Sequence, residues 1–233
     1  MLAPNSIPRP KTSAVLLSPR NAFQWKWFWY YLSRDGADSP FPDVLNIGCS
    51  NDPVEFGEWA VHADLDDWSA YHKHFVQLDV QNMPQCEDQS FGMVILGDVL
   101  EHIPDTQAAL DELMRVCRVG GFIVLTIFEE WRLPGDGQWI VEGQSQGDSE
   151  SIKQGAKDRL DFQATHYPGM ISVDDDEHPH LCHINQFTSE DIDHMVSYCV
   201  QKGFVPLEAL KMFETMHEGH PIYNWLICLG RVK

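Results

Sequence analysis

Four short apolar runs in this chain each end in residues able to bind or react. At the end of "VLNIGC" stand Asn46, Gly48, Cys49 and Ser50; at the end of "AVHADL", Asp64, Leu65 and Asp66; at the end of "FVQLDV", Asp79 and Val80; and in "FGMVILGDVLEH", Gly97, Asp98, Glu101 and His102. A glycine such as Gly48 lets main chain approach a ligand closely, and a carboxylate at the end of a second run, as Asp64 is, sits where ribose hydroxyls are accepted in nucleotide sites. Asp79 could accept from an adenine exocyclic amine, with the Val80 amide facing a ring nitrogen. Each acid taken alone is also an ordinary turn or helix-cap residue. Their placement at four successive run ends favours a shared adenosine-type ligand.

Short continuous apolar runs separated by polar turns and helical patterns are the signature of parallel strands covered on both faces, hence a doubly wound α/β sheet with helices on both sides. Ligands of such sheets bind outside the carboxyl ends of the strands, where the strand order reverses, and the residues above occupy those ends. A helix is predicted over residues 106 to 118, where Ala109, Leu110, Leu113, Met114 and Cys117 repeat at helical spacing and Gly120 with Gly121 ends the pattern. "FIVLTIF" follows as a strand. A second helix is predicted in "FTSEDIDHMVSYCVQKGF", capped by Thr188 or Ser189, with Ile192, Met195, Val196 and Cys199 on one face and Gly203 at its end. "VPLEALKMF" and "YNWLICLGRV" complete a seven-stranded, mostly parallel sheet. Residues 41 to 233 read as a single domain, with residues 131 to 186, rich in Gly, Gln, Asp and His, as an insertion or lid over the acceptor side.

The first turn discriminates between ligands. A dinucleotide pyrophosphate requires G-x-G-x-x-G and no nearby acid, whereas this turn continues Ser50, Asn51, Asp52. A ligand carrying an amine, a carboxylate and a sulfonium tolerates that charge, which argues for S-adenosylmethionine over NAD. In order along the chain, "VLNIGCSNDP", "HADLDDW", "LDV", "GDVLEHIPD", "LMRVCRVGGFIVLTI" and "HINQFTSEDIDHMVSYCVQKGF" resemble the motifs of the class I, Rossmann-like S-adenosylmethionine-dependent methyltransferases. The resemblance covers residues 43 to 130 and 181 to 233. It implies that the glycine turn faces the methionine part, that Asp64 holds ribose and that Asp79 with Val80 frames adenine. Two positions depart from the pattern. The acid usually found two residues before the glycine is Asn46, which still hydrogen-bonds through its amide; the second glycine is Ser50, which the turn accommodates if its φ is negative.

Two chemistries are open at the fourth run. Metal-dependent members of the superfamily resemble "DVLEH" with an acid-x-x-Glu-His cluster, so Asp98, Glu101 and His102, completed by His180 or His183, could hold Mg, Mn or Zn and lower the pKa of an acceptor hydroxyl. Without an ion, that histidine caps a helix or lines the cofactor pocket, and transfer requires an acceptor in line with the sulfonium methyl and a base beside it. His183 is the first candidate base, followed by His180, His166 and Glu129; any one of them reads more readily as a loop or packing residue than as the base.

Charge narrows the acceptor. The chain holds 35 Asp and Glu against 16 Lys and Arg, a formal charge of −19, which disfavours nucleic acid because phosphate backbones are held largely by Lys and Arg. A small-molecule or glycan-type acceptor methylated on oxygen is the expectation. The rival readings are a methyltransferase-like binding protein without activity and a nicotinamide-dependent oxidoreductase. No apolar run reaches the roughly 20 residues that span a bilayer, and no signal peptide is visible, so the expected location is cytoplasmic, without membrane attachment. Residues 1 to 40 form a chemically distinct arm in which Trp25, Phe28, Trp29 and Leu32 share a helical face predicted to pack on the body. The six cysteines lack CxxC pairs, and several lie in apolar stretches, as reduced core thiols do.

Overall fold

A computed structural model describes residues 19–34, 43–50, 56, 59–103, 105–129, 187, 189–217 and 220–233. The elements run α1 (Pro19–Arg34), β1 (Val44–Ile47), β2 (Ala60–Asp64), β3 (Phe75–Gln77), β4 (Phe91–Gly97), a 3-10 turn (Leu100–His102), α2 (Thr106–Val116), β5 (Cys117–Glu129), α3 (Ser189–Gln201), β6 (Phe204–His217) and β7 (His220–Arg231).

The seven strands form one sheet in the order β3-β2-β1-β4-β5-β7-β6. Pairing is parallel from β3 through β5, while β7 runs antiparallel to both β5 and β6. The order reverses between β1 and β4, so the switch point lies between the ends of those two strands. The central strands are buried on both faces, β1 entirely and β4 up to Gly97, which is why they read as unbroken apolar runs.

Alternate residues of these strands feed two cores. Leu45, Ile47, Val94, Leu96, Ile123, Leu125, Ile227 and Leu229 pack with α2 and α3. Val44, Ala60, Met93, Ile95, Phe122, Val124, Leu226 and Cys228 pack with α1, Phe56 and Trp59. Both described helices that connect strands therefore lie on one face, and the segment 65–74 that crosses from β2 to β3 contains no helix. On the other face α1 takes the covering role. Its buried surface is wider than the expected stripe: Phe23, Trp27 and Tyr31 are buried along with Trp25, Phe28 and Leu32, whereas Trp29 is only half-buried. A 16-residue helix is about 24 Å long at 1.5 Å per residue, enough to cross several strands spaced about 4.8 Å apart.

Polar contacts fix α1 near its C-terminal end and at its middle. Tyr31 donates its hydroxyl proton to the buried carboxylate of Asp43, which also accepts from Arg118 Nη1 at 2.6 Å and from the Gly92 N–H at 3.1 Å. Toward β6, Lys26 Nζ lies 2.7 Å from Glu208 Oε1 and Trp27 Nε1 donates to Glu208 Oε2 at 3.0 Å.

α2 starts where Asp105 accepts the Ala108 N–H at 2.9 Å, a side-chain N-cap. It ends at Val116 and not at 118, because Cys117 is already extended at φ −72°, ψ 125° and opens β5. α3 buries Asp191, Ile192, Met195 and Cys199 and gives way to Gly203 at φ +93°. Cys49, Cys117, Cys199 and Cys228 are buried and outside any disulfide. Burial pushes Cys117 and Cys199 up to about 12, so both remain protonated and inert at neutral pH. No described helix is long and apolar enough to cross a membrane.

Candidate active site

The turn after β1 is tied to β2 by main chain. Gly48 and Cys49 N–H both point at the Ala63 carbonyl, at 2.9 and 3.3 Å. Gly48 stands at φ +76°, and a Cβ there would lie 2.2 Å from Val99 Cγ2 and 3.1 Å from the Gly97 carbonyl oxygen. Glycine is thus required twice, for its backbone and because the β1 and β4 ends approach so closely. Asn51, Asp52 and Pro53 lie outside the described residues.

Ser50 differs from the expectation: its φ is +42°, in the left-handed region. What holds it there is Asp64, whose Oδ2 accepts the Ser50 N–H at 2.9 Å, while Oδ1 accepts the Asp66 N–H at 3.2 Å. The acid at the end of β2 is therefore oriented by two amides before any ligand arrives. Each carboxylate oxygen has lone pairs left for a hydroxyl donor. Leu65 is exposed beside it, its carbonyl accepting from Gln77 Nε2 at 2.7 Å.

Asp79 is exposed and accepts from the Gln81 N–H at 2.9 Å and from Gln81 Nε2, the turn role open to it from the sequence; Val80 beside it is buried.

Across the switch point, Asp98 also takes a left-handed backbone, φ +52°. Its N–H donates to the Thr126 carbonyl at 2.8 Å, its Oδ1 accepts from Thr126 Oγ1 at 2.9 Å, and its Oδ2 pairs with Arg20 Nη1 at 2.5 Å. Gln24, one helical turn on from Arg20, lies against Gly97, where a Cβ would come within 2.8 Å of Gln24 Nε2. α1 thus reaches the carboxyl end of β4, a contact with no counterpart in the sequence pattern, since Arg20 and Asp98 are 78 positions apart. Two non-glycine residues with positive φ, one on each side of the switch point, mark a place where surrounding structure over-determines strained main chain, as is common at functional sites.

The structure does not gather Asp98, Glu101 and His102. Glu101 is fully buried in the 3-10 turn, and Asp98 is engaged by Arg20 and Thr126. Among the described residues, Cys49, His62 and His72 are the group whose metal-ligating atoms all lie within 4.8 Å of one another. His166, His180 and His183, with the 131–186 insertion, lie outside the described residues. Glu129 ends β5, paired in register with Tyr223 on β7, with its side chain outside the description.

Residues 58–125 match the family model of a methyltransferase domain. No curated protein sequence matches the chain. Among solved structures, the chain is similar to the [4+2]-cyclase SpnF (11% identity, 88% of this chain and 80% of that one, TM-score 0.52). It is also similar to a phosphoethanolamine N-methyltransferase of Haemonchus contortus (14% identity, 90% and 53%, TM-score 0.51). An arsenic(III) S-adenosylmethionine methyltransferase of Chlamydomonas reinhardtii gives 17% identity, 83% and 66%, and a TM-score of 0.50. At these identities the likeness is one of fold. That fold is the Rossmann-like α/β fold of methyltransferases, and the matched segment and the sheet order agree with it.

Proposed function

We propose that the chain binds S-adenosylmethionine at the β1–β4 switch point and transfers its methyl group to a small or medium acceptor, more readily on oxygen than on nitrogen or carbon. The observation that carries this reading is the link between Ser50 and Asp64: the strand-end acid is pre-set by the glycine turn, beside the Gly48 backbone. No described residue of this turn is cationic, so the donor set suits a ligand without phosphates. When bound, the sulfonium supplies an activated methyl group. Asp64 would accept the ribose hydroxyls, the turn at Gly48, Cys49 and Ser50, with Asn46 beneath it, would face the methionine part, and Asp79 with Val80 would frame adenine. Gly97 and Asp98 would border the methyl group.

The acceptor side is open to Arg20, whose charge Asp98 neutralises, and to the histidine-bearing insertion. A hydroxyl acceptor needs a base; His183, then His180, His166 and Glu129, are the groups proposed for it. The chain's −19 charge supports an acceptor other than nucleic acid.

Calorimetry with S-adenosylmethionine and S-adenosylhomocysteine tests the reading, with Asp64→Ala as control. Micromolar binding that weakens at least about tenfold in the variant supports it; no binding of either ligand by the wild type refutes it.

A second reading is a methyltransferase-like fold used for binding or for other chemistry. It is favoured by the engagement of Asp98 by α1 at the acceptor side and by the serine at positive φ. It predicts cofactor binding without methyl transfer, or none. NAD in the same calorimeter separates the oxidoreductase alternative.

A further inference from the structure

On the face of the sheet that α1 covers, Asn46 of β1 and His62 of β2 are register partners, and the His72 side chain folds in from the β2–β3 crossover. The two imidazoles stack at 4.3 Å between centroids and 17° between planes, beside the Cys49 thiol. All three side chains belong to buried residues: Cys49 and His62 are 2% exposed and His72 is 7% exposed. His72 Nε2 lies 2.6 Å from the Ser50 carbonyl oxygen, which can only accept, so this nitrogen carries the proton and Nδ1 carries the lone pair. That Nδ1 is buried without a hydrogen-bond partner. An acceptor nitrogen shut away from water is costly to leave unsatisfied.

From this convergence we infer that Cys49, His62 and His72 form a binding site for a single borderline-soft divalent ion, Zn2+ or a close analogue, beneath the glycine turn. One thiolate and two neutral imidazoles form a donor set that Zn2+ accepts in tetrahedral geometry, with the fourth place left to water or a ligand. Outer contacts suit the role. The His72 Nε2–H to Ser50 carbonyl bond orients that ring as metal-bound histidines are usually oriented. Asn46 stands 3.2 Å from His62 Nδ1; turned over, its amide presents an oxygen that accepts Nδ1–H and leaves Nε2 as the ligand. The ion would replace the Cys49 thiol proton, which passes to solvent. Zn–N and Zn–S bonds of about 2.0 and 2.3 Å place the metal in the plane of each ring, so binding draws the imidazoles out of their stack. The site would pin Ser50 and Cys49 to β2 whether or not the turn binds a cofactor, so the inference stands apart from the methyl-transfer reading.

The full chain, reduced and stripped with a chelator, is titrated with Zn2+ against a chromophoric competitor, and with Co2+ in the absorption spectrometer. Expected are one tightly held Zn2+ and a thiolate-to-cobalt charge-transfer band, both kept in Cys182→Ser. Cys49→Ser and His72→Ala should lose the band and weaken Zn2+ by more than the roughly 10- to 100-fold that an outer-shell change costs. Should these variants fail to fold, alkylation of the wild type followed by peptide mapping gives the answer: Zn2+ protects Cys49 while Cys86 stays reactive. Absence of tight Zn2+, a band that survives Cys49→Ser or disappears in Cys182→Ser, or a Cys49 alkylation rate unchanged by Zn2+ overturns the inference.

Discussion

The main-chain N–H of Ser50 donates to Asp64 Oδ2 at 2.9 Å, joining the turn after β1 to the acid that ends β2. Hydrogen bonds to a charged acceptor contribute about 1.5–3 kcal/mol, enough to make the turn's shape depend on that carboxylate. Asp64→Ala should therefore loosen the turn in the unliganded protein as well as weaken the cofactor. Hydrogen exchange of the peptide containing Ser50 should speed up in the variant, while peptides of β5 keep their protection. Unchanged exchange at Ser50 would mean that the contact does not hold the turn.

Ser50 pays for its left-handed backbone, a conformation that costs about 1–3 kcal/mol for a non-glycine residue. Ser50→Gly relieves this and gives back about 0.5–1 kcal/mol in chain entropy. Its melting temperature should equal or exceed the wild type's by a few degrees, and Ser50→Val should fall below both. Thermal melts that rank the valine variant above the glycine variant would contradict the assigned conformation.

Gly48 faces a harder constraint, because its Cβ would sit 2.2 Å from a Val99 methyl at φ +76°. Gly48→Ala should destabilise by about 2 kcal/mol or more and abolish cofactor binding. Adding Val99→Ala removes the overlap but not the backbone strain, so the double variant should recover part of the stability. Denaturant unfolding of both proteins measures this; full recovery would show that sterics alone require the glycine.

Asp43 gives a pH signature. Burial raises its carboxyl above the ordinary value of 3.8, with the Arg118 charge and the Gly92 N–H pulling the other way. An acid that holds its proton more tightly when folded adds stability that is complete below the unfolded value and lost as pH rises through the folded one. Wild type should therefore gain stability relative to Asp43→Asn, which does not titrate, as pH falls from 7 toward 4. Urea unfolding at several pH values checks the sign, and a gain in the other direction would place the carboxylate below its ordinary value.

The strand ends were readable because strands buried on both faces appear as apolar runs. Gly48, Asp64 and Asp98 stand where β1, β2 and β4 end, as the runs implied. Local spacing was less informative at Cys117, which continues the helical repeat of Leu110, Leu113 and Met114 but turns extended and opens β5. The buried face of α1 was read too narrowly, because a helix lying across a sheet buries more than one stripe. Arg20 gave no signal, since its partner depends on where α1 ends up in space. His62 could have been found by pairing the first two strands in register, which sets it beside Asn46. Of the bases proposed for catalysis, His166, His180 and His183 fall in the segment where periodicity lapses, so no pattern assigns them a place, whereas Glu129 closes β5 opposite Tyr223.

The path of α1 also determines when the protein can finish folding. Its aromatic face is synthesised before much of the surface it covers, which includes Leu226 and Cys228 of β7, and its Lys26 meets Glu208 of β6. Those partners are separated from it by most of the chain, so loop-closure entropy must be overcome before their contacts can form. Until β7 is synthesised, Trp25, Trp27 and Phe28 have only part of their docking surface. Over that interval the nascent chain carries the aromatic patch incompletely covered.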